Sequence, residues 1–292
     1  MKPNELGAKL TSLSNIPSIC IQGKIVSFEK AKVMGIINVN DESFHKDSRA
    51  NSIDAAISLA EKHVTGGASF LDLGASTSKP GSSISDPTEE WERLSPVLNA
   101  IRTRYPETHL SVDTYHSEVA RKSVLEGADL INDISAGALD NNMFRTVADL
   151  KVPYVMMHMQ GTPAEMQKNP QYQNVTQEVI SELVIKLQQL FQLGVSDVIV
   201  DPGFGFGKSL EHNYTLLHHL DEFKQMRVPL LVGVSRKSMV TRLLNIDASE
   251  ALNATTALHM LALQKGANIL RVHDCREAFE AIDVYEKYNS CG

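Results

Sequence analysis

Val198-Ile199-Val200-Asp201-Pro202-Gly203-Phe204-Gly205-Phe206-Gly207-Lys208 passes from three β-branched apolar residues straight into a carboxylate, three glycines, two aromatics and a cation. The apolar run reads as a short buried strand, and the remainder as the turn beyond its C-terminal end. Glycine has no Cβ to hold a ligand away, so such a turn lets backbone N–H groups and a flat side chain approach one closely. The glycines alone fit a purely structural connection equally well, one that only needs positive φ angles. Gly207-Lys208-Ser209 imitates the end of a phosphate-binding P-loop, but the spacing fails. That pattern needs a glycine five positions before Gly207, where this chain carries Pro202.

The same event, an apolar run with a polar ending, recurs along the chain. The runs are Val33-Met34-Gly35-Ile36-Ile37, Phe70-Leu71-Asp72-Leu73, Leu110-Ser111-Val112, Leu130-Ile131, Tyr154-Val155-Met156-Met157, Val198-Ile199-Val200, Leu230-Leu231-Val232-Gly233-Val234 and Ile269-Leu270-Arg271-Val272. Helix-length stretches separate them, with Ser52, Thr88, Ser117 and Ser209 as N-cap candidates. Several of these helices end on a glycine and a small or apolar residue: Gly67-Ala68, Gly127-Ala128, Gly194-Val195 and Gly266-Ala267. Strands alternating with helices imply a parallel sheet, and eight such units imply a closed α/β fold, the (β/α)8 or TIM barrel. Residues 18 to 28 alternate apolar and polar around a Gly-Lys turn and are expected to form a hairpin at the barrel bottom. The chain thus divides into an N-terminal extension with its hairpin over 1–29 and a single barrel domain over 30–292.

Length and composition agree with this. The 292 residues are 42% hydrophobic, enough for one large core. A net charge of −7 gives no electrostatic reason to bind nucleic acid or an anionic membrane. No stretch is apolar for the ~18–20 residues that span a bilayer, and no apolar signal core follows Met1, so a cytoplasmic location is expected. Cys20, Cys275 and Cys291 show no C-x-x-C spacing and suggest neither a disulfide framework nor a zinc site. Cys20 and Cys275 read as core or near-core thiols.

Barrel enzymes build their sites at the C-terminal ends of the strands. Here every such end is polar: Asn38, Asp72 to Gly74, Asp113, Asn132-Asp133, His158, Asp201, Ser235-Arg236-Lys237 and His273-Asp274. One Asn or Asp in such a place is commonly a hydrogen-bonded strand terminus; eight polar ends together point to a site.

These endings resemble the dihydropteroate synthases of the pterin-binding family. The resemblance spans roughly residues 30 to 290 and rests on Val33 to Val39, Ser111-Val112-Asp113-Thr114, Ile131-Asn132-Asp133-Ile134, Met157-His158-Met159-Gln160-Gly161, Asp201 to Lys208, Ser235-Arg236-Lys237-Ser238 and Arg271-Val272-His273-Asp274. It implies condensation of 6-hydroxymethyl-7,8-dihydropterin diphosphate with 4-aminobenzoate, giving 7,8-dihydropteroate and pyrophosphate. By resemblance, Asp201 accepts the paired pterin donors, and Lys237 donates to the ring carbonyl. Asp113 and Asn132 meet the opposite ring edge, while Met157 and Phe206 line the ring faces. Asn38, Arg271 and His273 would hold the diphosphate, with Asn38 also contacting a Mg2+ ion. Ser78, Lys79 and Ser238 would bind aminobenzoate. Asp113, Lys237, Arg271 and His273 form the implied catalytic set, acting by charge stabilisation on an SN1-like path. His158 is left outside it. A homodimer is also implied.

The chain departs from the family in two loops. Asn40-Asp41-Glu42 stands where Thr-Pro-Asp is usual, and Lys79 where arginine is usual. A lysine keeps the charge but loses the planar fork, so altered aminobenzoate and sulfonamide selectivity is expected. A catalytically silent pterin-binding paralogue and a pterin-dependent methyltransferase domain are the alternative readings. Arg271-Val272-His273 and Ser235 to Ser238, suited to diphosphate and aminobenzoate, argue against the methyltransferase.

Overall fold

The computed structural model describes residues 16–39, 49–76, 85–162, 165–166 and 170–291. A two-stranded antiparallel hairpin, β1 (Ser18–Ile21) and β2 (Lys24–Ser27), precedes eight parallel strands. These are β3 (Lys32–Asn38), β4 (Ala68–Gly74), β5 (His109–Asp113), β6 (Leu130–Asp133), β7 (Tyr154–Met157), β8 (Val198–Asp201), β9 (Leu231–Val232) and β10 (Ile269–Val272). Their order is β8-β7-β6-β5-β4-β3-β10-β9, and a parallel bridge between Val200 and Leu230 joins the two ends. The barrel anticipated from the eight apolar runs is therefore what forms.

Period-two alternation sorts each strand into two faces. Val33, Ile37, Leu71, Leu73, Leu110, Val112 and Ile131 join one large cluster with the surrounding helices. Met34, Phe70, Leu130, Val155, Ile199, Leu231 and Ile269 face inward and form a second cluster with Ile19, Ile21 and Phe28. The hairpin is thus the plug of the barrel bottom. Burying its three large apolar side chains stabilises the closure by about 1.5–3 kcal/mol each relative to leaving them exposed.

Several sequence expectations are corrected at element ends. The hairpin turn is Gln22-Gly23, not Gly-Lys; both have positive φ (49° and 77°), and Lys24 already pairs with Ile21. Cys20 is exposed rather than near-core, because it lies on the outer face of β1, whereas Cys275 is buried. The strand expected over Leu230 to Val234 shrinks to Leu231–Val232, with Leu230 in a lone bridge to Val200 and no ladder pairing at Gly233 and Val234. Helix α1 (Arg49–Thr65) starts ahead of Ser52. Helix α2 (Pro87–Arg104) is capped by Asp86, whose carboxylate accepts from Thr88 N and Glu89 N, so Thr88 is not its cap. Ser117 opens α3 (Ser117–Leu125) instead of capping it. Ser209 does cap α6 (Leu210–His218), in a capping box with His212. The four glycines expected at helix ends, Gly67, Gly127, Gly194 and Gly266, all take positive φ. Helix α4 (Met143–Leu150) leads to β7 and α5 (Val175–Gln192) to β8. Helices α7 (Ser238–Leu244), α8 (Leu252–Lys265) and α9 (Cys275–Asn289) complete the outer layer.

Candidate active site

Above the apolar bottom ring, the inward positions turn polar. Two residues beyond Phe70 comes Asp72, two beyond Leu130 Asn132, two beyond Ile199 Asp201, and two beyond Ile269 Arg271. Register places Asn38, Gly74, Asp113 and Asn132 side by side on neighbouring strands. Alternation that buries hydrocarbon at the bottom therefore delivers these groups to one barrel mouth.

Arg271 organises one half of the mouth. Its Nε donates to Asp72 Oδ2 at 2.6 Å and its Nη2 to Asp113 Oδ2 at 2.7 Å. Asp72 has no solvent exposure and also accepts from Asn132 Nδ2 at 3.0 Å and from the Ser111 hydroxyl. Burial works against the guanidinium charge, but Asp72 and Asp113 outweigh it, and the pKa of Arg271 is raised. Burial also pushes the Asp113 carboxyl up to about 7; Arg271 opposes this, and the neighbouring Asp72 adds to it. His273 is driven down to about 4 by burial and by Arg271. Ser235 Oγ accepts from His273 N at 3.2 Å and lies 3.0 Å from His273 Nδ1. The lowered pKa keeps His273 a neutral imidazole, and a proton given by Ser235 to Nδ1 would leave Nε2–H as its donor.

The opposite half is the glycine-rich turn. Asp201 is buried; its Oδ1 accepts from Gly203 N at 2.8 Å, and burial raises its pKa against the pull of Lys237. Lys237 Nζ donates to Phe204 O at 2.5 Å and stands 4.7 Å over the Phe206 ring. Burial lowers Lys237 to about 8, with Asp201 opposing. A Cβ on Gly233 would lie within 4 Å of Lys237 Nζ, Arg271 Cβ and Asp201 Oδ2, which shows how closely the two halves meet. Met157 and Phe206 join Tyr115, Ile134 and Met159 in a separate apolar patch at the same end.

The structure thus brings Asp113, Asn132, Met157, Asp201, Phe206, Lys237, Arg271 and His273 to one barrel mouth. Asn38 stands exposed at the end of β3, and Ser238 exposed at the start of α7. Ser78, Lys79 and Asn40-Asp41-Glu42 lie outside the described residues. Some polar strand endings prove structural. Asp133 points away from the mouth, accepting from Tyr154 Oη, Gly137 N, and Ser135 N and Oγ. Arg236 makes a two-pronged pair with Asp274, at 2.8 Å on each side. Sequence reading gave Asp72 and Ser111 no role; their inward phase, two residues before Gly74 and Asp113, was the available signal.

Among the described residues no three His, Cys, Asp or Glu side chains gather to hold a metal ion. The exposed amide of Asn38 at the end of β3 would suit a hard cation that brings phosphate oxygens and water as its other ligands.

The pterin binding enzyme family matches residues 34–273. Dihydropteroate synthase of Escherichia coli (strain K12) is 41% identical over 271 residues, covering 91% of this chain and 94% of the relative. The Haemophilus influenzae dihydropteroate synthase is 37% identical over 265 residues, covering 90% and 96%. Among solved structures, the Yersinia pestis dihydropteroate synthase with a sulfonamide drug superposes with a TM-score of 0.88 at 36% identity, covering 94% of this chain and 99% of that one. The Xanthomonas albilineans enzyme in complex with 7,8-dihydropteroate gives 0.83 at 33% identity, covering 94% and 99%.

Proposed function

We propose that this chain, which belongs to the pterin binding enzyme family, works as a dihydropteroate synthase, condensing 6-hydroxymethyl-7,8-dihydropterin diphosphate with 4-aminobenzoate. The observation that carries the reading is the pairing of two unlike halves at one barrel mouth: a buried carboxylate beside Lys237 and an aromatic ring, facing Arg271 and His273.

With one oxygen of Asp201 engaged by Gly203 N, the carboxylate is held in one orientation, ready to accept the adjacent amino and ring N–H donors of the pterin. Phe206 and Met157 offer apolar surface to the ring, and Lys237 donates to its carbonyl. Arg271 and the neutral His273 Nε2–H donate to the diphosphate, so negative charge that accumulates on the departing pyrophosphate meets donors already in place. Asp113, when ionised, faces the positive charge that spreads into the pterin as the CH2–O bond breaks. The aniline nitrogen of aminobenzoate then attacks the carbon, forming the C–N bond and losing a proton, and no protein nucleophile is needed. Asn38 would give a Mg2+ ion an amide oxygen; when bound, the ion neutralises diphosphate charge. Ser238, Ser78 and Lys79 are proposed for the aminobenzoate carboxylate. A cytoplasmic homodimer completes the proposal.

The test is pyrophosphate release assayed with both substrates and Mg2+, and with each omitted. Release only from the complete mixture is the expected result. Pterin affinity without release would identify a silent binder instead.

A further inference from the structure

Lys208 ends the run that imitates a P-loop, yet it does not face the site as a phosphate ligand would. It is 2% exposed, and its Nζ donates to Gly203 O at 2.9 Å and Phe206 O at 3.1 Å. A third partner, His158 Nδ1, lies 2.9 Å away. His158 is buried as well, and its Nε2 stands 3.2 Å from Glu182 Oε2 on α5. Glu182 in turn pairs with Lys186 at 2.9 Å, and Lys186 Nζ donates to Ser135 O at 3.3 Å.

The proton positions follow from this chain. A proton on His158 Nε2 serves the Glu182 carboxylate, which leaves the Nδ1 lone pair for Lys208. Hydrogen bonding to His158 holds Glu182 down at about 2. Burial lowers Lys208 to about 7, with Asp201 opposing, and lowers His158, with Glu182 opposing. As an ammonium, Lys208 has three N–H groups for three acceptors; as an amine it still has two for the two carbonyls. Both forms grip the turn. With both ring nitrogens engaged, His158 has none left for a substrate proton.

The gripped carbonyls bracket the groups that face the ligand. Between Gly203 and Phe206 lies Phe204, whose carbonyl fixes Lys237, and the Phe206 ring lies beneath the same Lys237 amine. Gly203, Gly205 and Gly207 take φ of 73°, 81° and 61°, a backbone with wide freedom unless something holds it. Tyr172 Oη adds a bond to Gly207 O at 2.9 Å.

We propose that Lys208 is a positioning residue: anchored through His158 to Glu182, its amino group locks the Asp201–Gly207 turn in the shape that presents Asp201, Phe206 and Lys237 to the pterin. The proposal rests on the synthase reading for its kinetic part only.

The test is Lys208→Met in the full chain, which removes the donors and keeps much of the side-chain volume. Amide hydrogen exchange should quicken at 203–207 and not across the barrel. Dissociation constant and KM for the pterin diphosphate should rise about ten-fold, the scale of one or two lost charge-assisted hydrogen bonds, with aminobenzoate KM unchanged. Unchanged pterin affinity and exchange, or equal losses for both substrates, would overturn the proposal. Glu182→Gln, at the half-exposed end of the chain, serves if the first variant does not fold. It should raise the pterin dissociation constant by a smaller factor, and no change there overturns the role of the anchor. If the wild-type chain released no pyrophosphate, the synthase reading would fall, while exchange and pterin affinity would still decide the role of Lys208.

Discussion

Arg271 and Asp72 are bound at 2.6 Å, Nε to Oδ2, with the carboxylate wholly removed from solvent. The same guanidinium reaches Asp113 Oδ2 through Nη2 at 2.7 Å, so the pair fixes its plane between two carboxylates. Removing one member of such a pair leaves the other buried and uncompensated. Asp72→Ala should destabilise the fold by about 3–5 kcal/mol by denaturant titration. Asp72→Asn, which retains shape, should raise KM for the pterin diphosphate more than it lowers kcat.

In the proposed binding mode, Asp201→Asn replaces one acceptor by a donor facing the pterin N–H groups. The loss should be about 2–4 kcal/mol in pterin affinity by calorimetry. Unaltered affinity would remove Asp201 from that role.

The pH profile should carry two limbs. In the proposed mechanism Asp113 acts as a carboxylate, and its pKa is pushed up to about 7, so kcat/KM for the pterin diphosphate should rise as pH increases through about 7. In the same proposal Lys237 acts as a cation, its pKa lowered to about 8, so the same quantity should fall as pH rises beyond about 8. Asp113→Asn should erase the acid limb, and Lys237→Met the alkaline one.

Two glycines with similar φ should differ sharply on substitution. Gly203 has φ 73°, and a Cβ there would stand 1.8 Å from His158 O; at Gly194, φ 85°, nothing lies within 4 Å. Gly194→Ala should cost about 1 kcal/mol for backbone strain alone. Gly203→Ala should cost several-fold more and weaken pterin binding, as read by thermal unfolding and calorimetry.

Lys79→Arg together with Asn40-Asp41-Glu42→Thr-Pro-Asp should change aminobenzoate KM and sulfonamide Ki while leaving pterin affinity alone, since only the planar fork and the first loop differ. Steady-state kinetics with a sulfonamide competitor reads both. No change in either would show that these departures do not set selectivity.

The barrel was legible in the sequence because its signals are local. Short apolar runs, helix-length intervals and glycines at helix ends each depend on a few neighbouring residues, and all eight strands lie where those runs fall. Boundaries were less legible: Asp86 rather than Thr88 caps α2, and Gln22-Gly23 rather than Gly-Lys turns the hairpin. Several residues a few positions apart can offer the same cap or turn chemistry, and the backbone path selects among them. That Asp113, Asn132, Asp201, Lys237, Arg271 and His273 gather at one barrel mouth was also readable, as strand endings and family motifs.

The sequence by itself determined the eight strand–helix units, the polar character of their C-terminal ends and the kinship those ends carry. Only the tertiary structure decided which polar endings face the mouth. Asp133 turns outward to Tyr154, while Asp72, given no role from the sequence, turns inward beneath Arg271. It also decided that Lys208 holds backbone instead of ligand. The reason is physical: a strand's two faces differ by one residue, and partners such as Asp72 and Arg271 are 199 positions apart. Closure of the barrel sets the phase of every strand at once and brings such partners within hydrogen-bond reach.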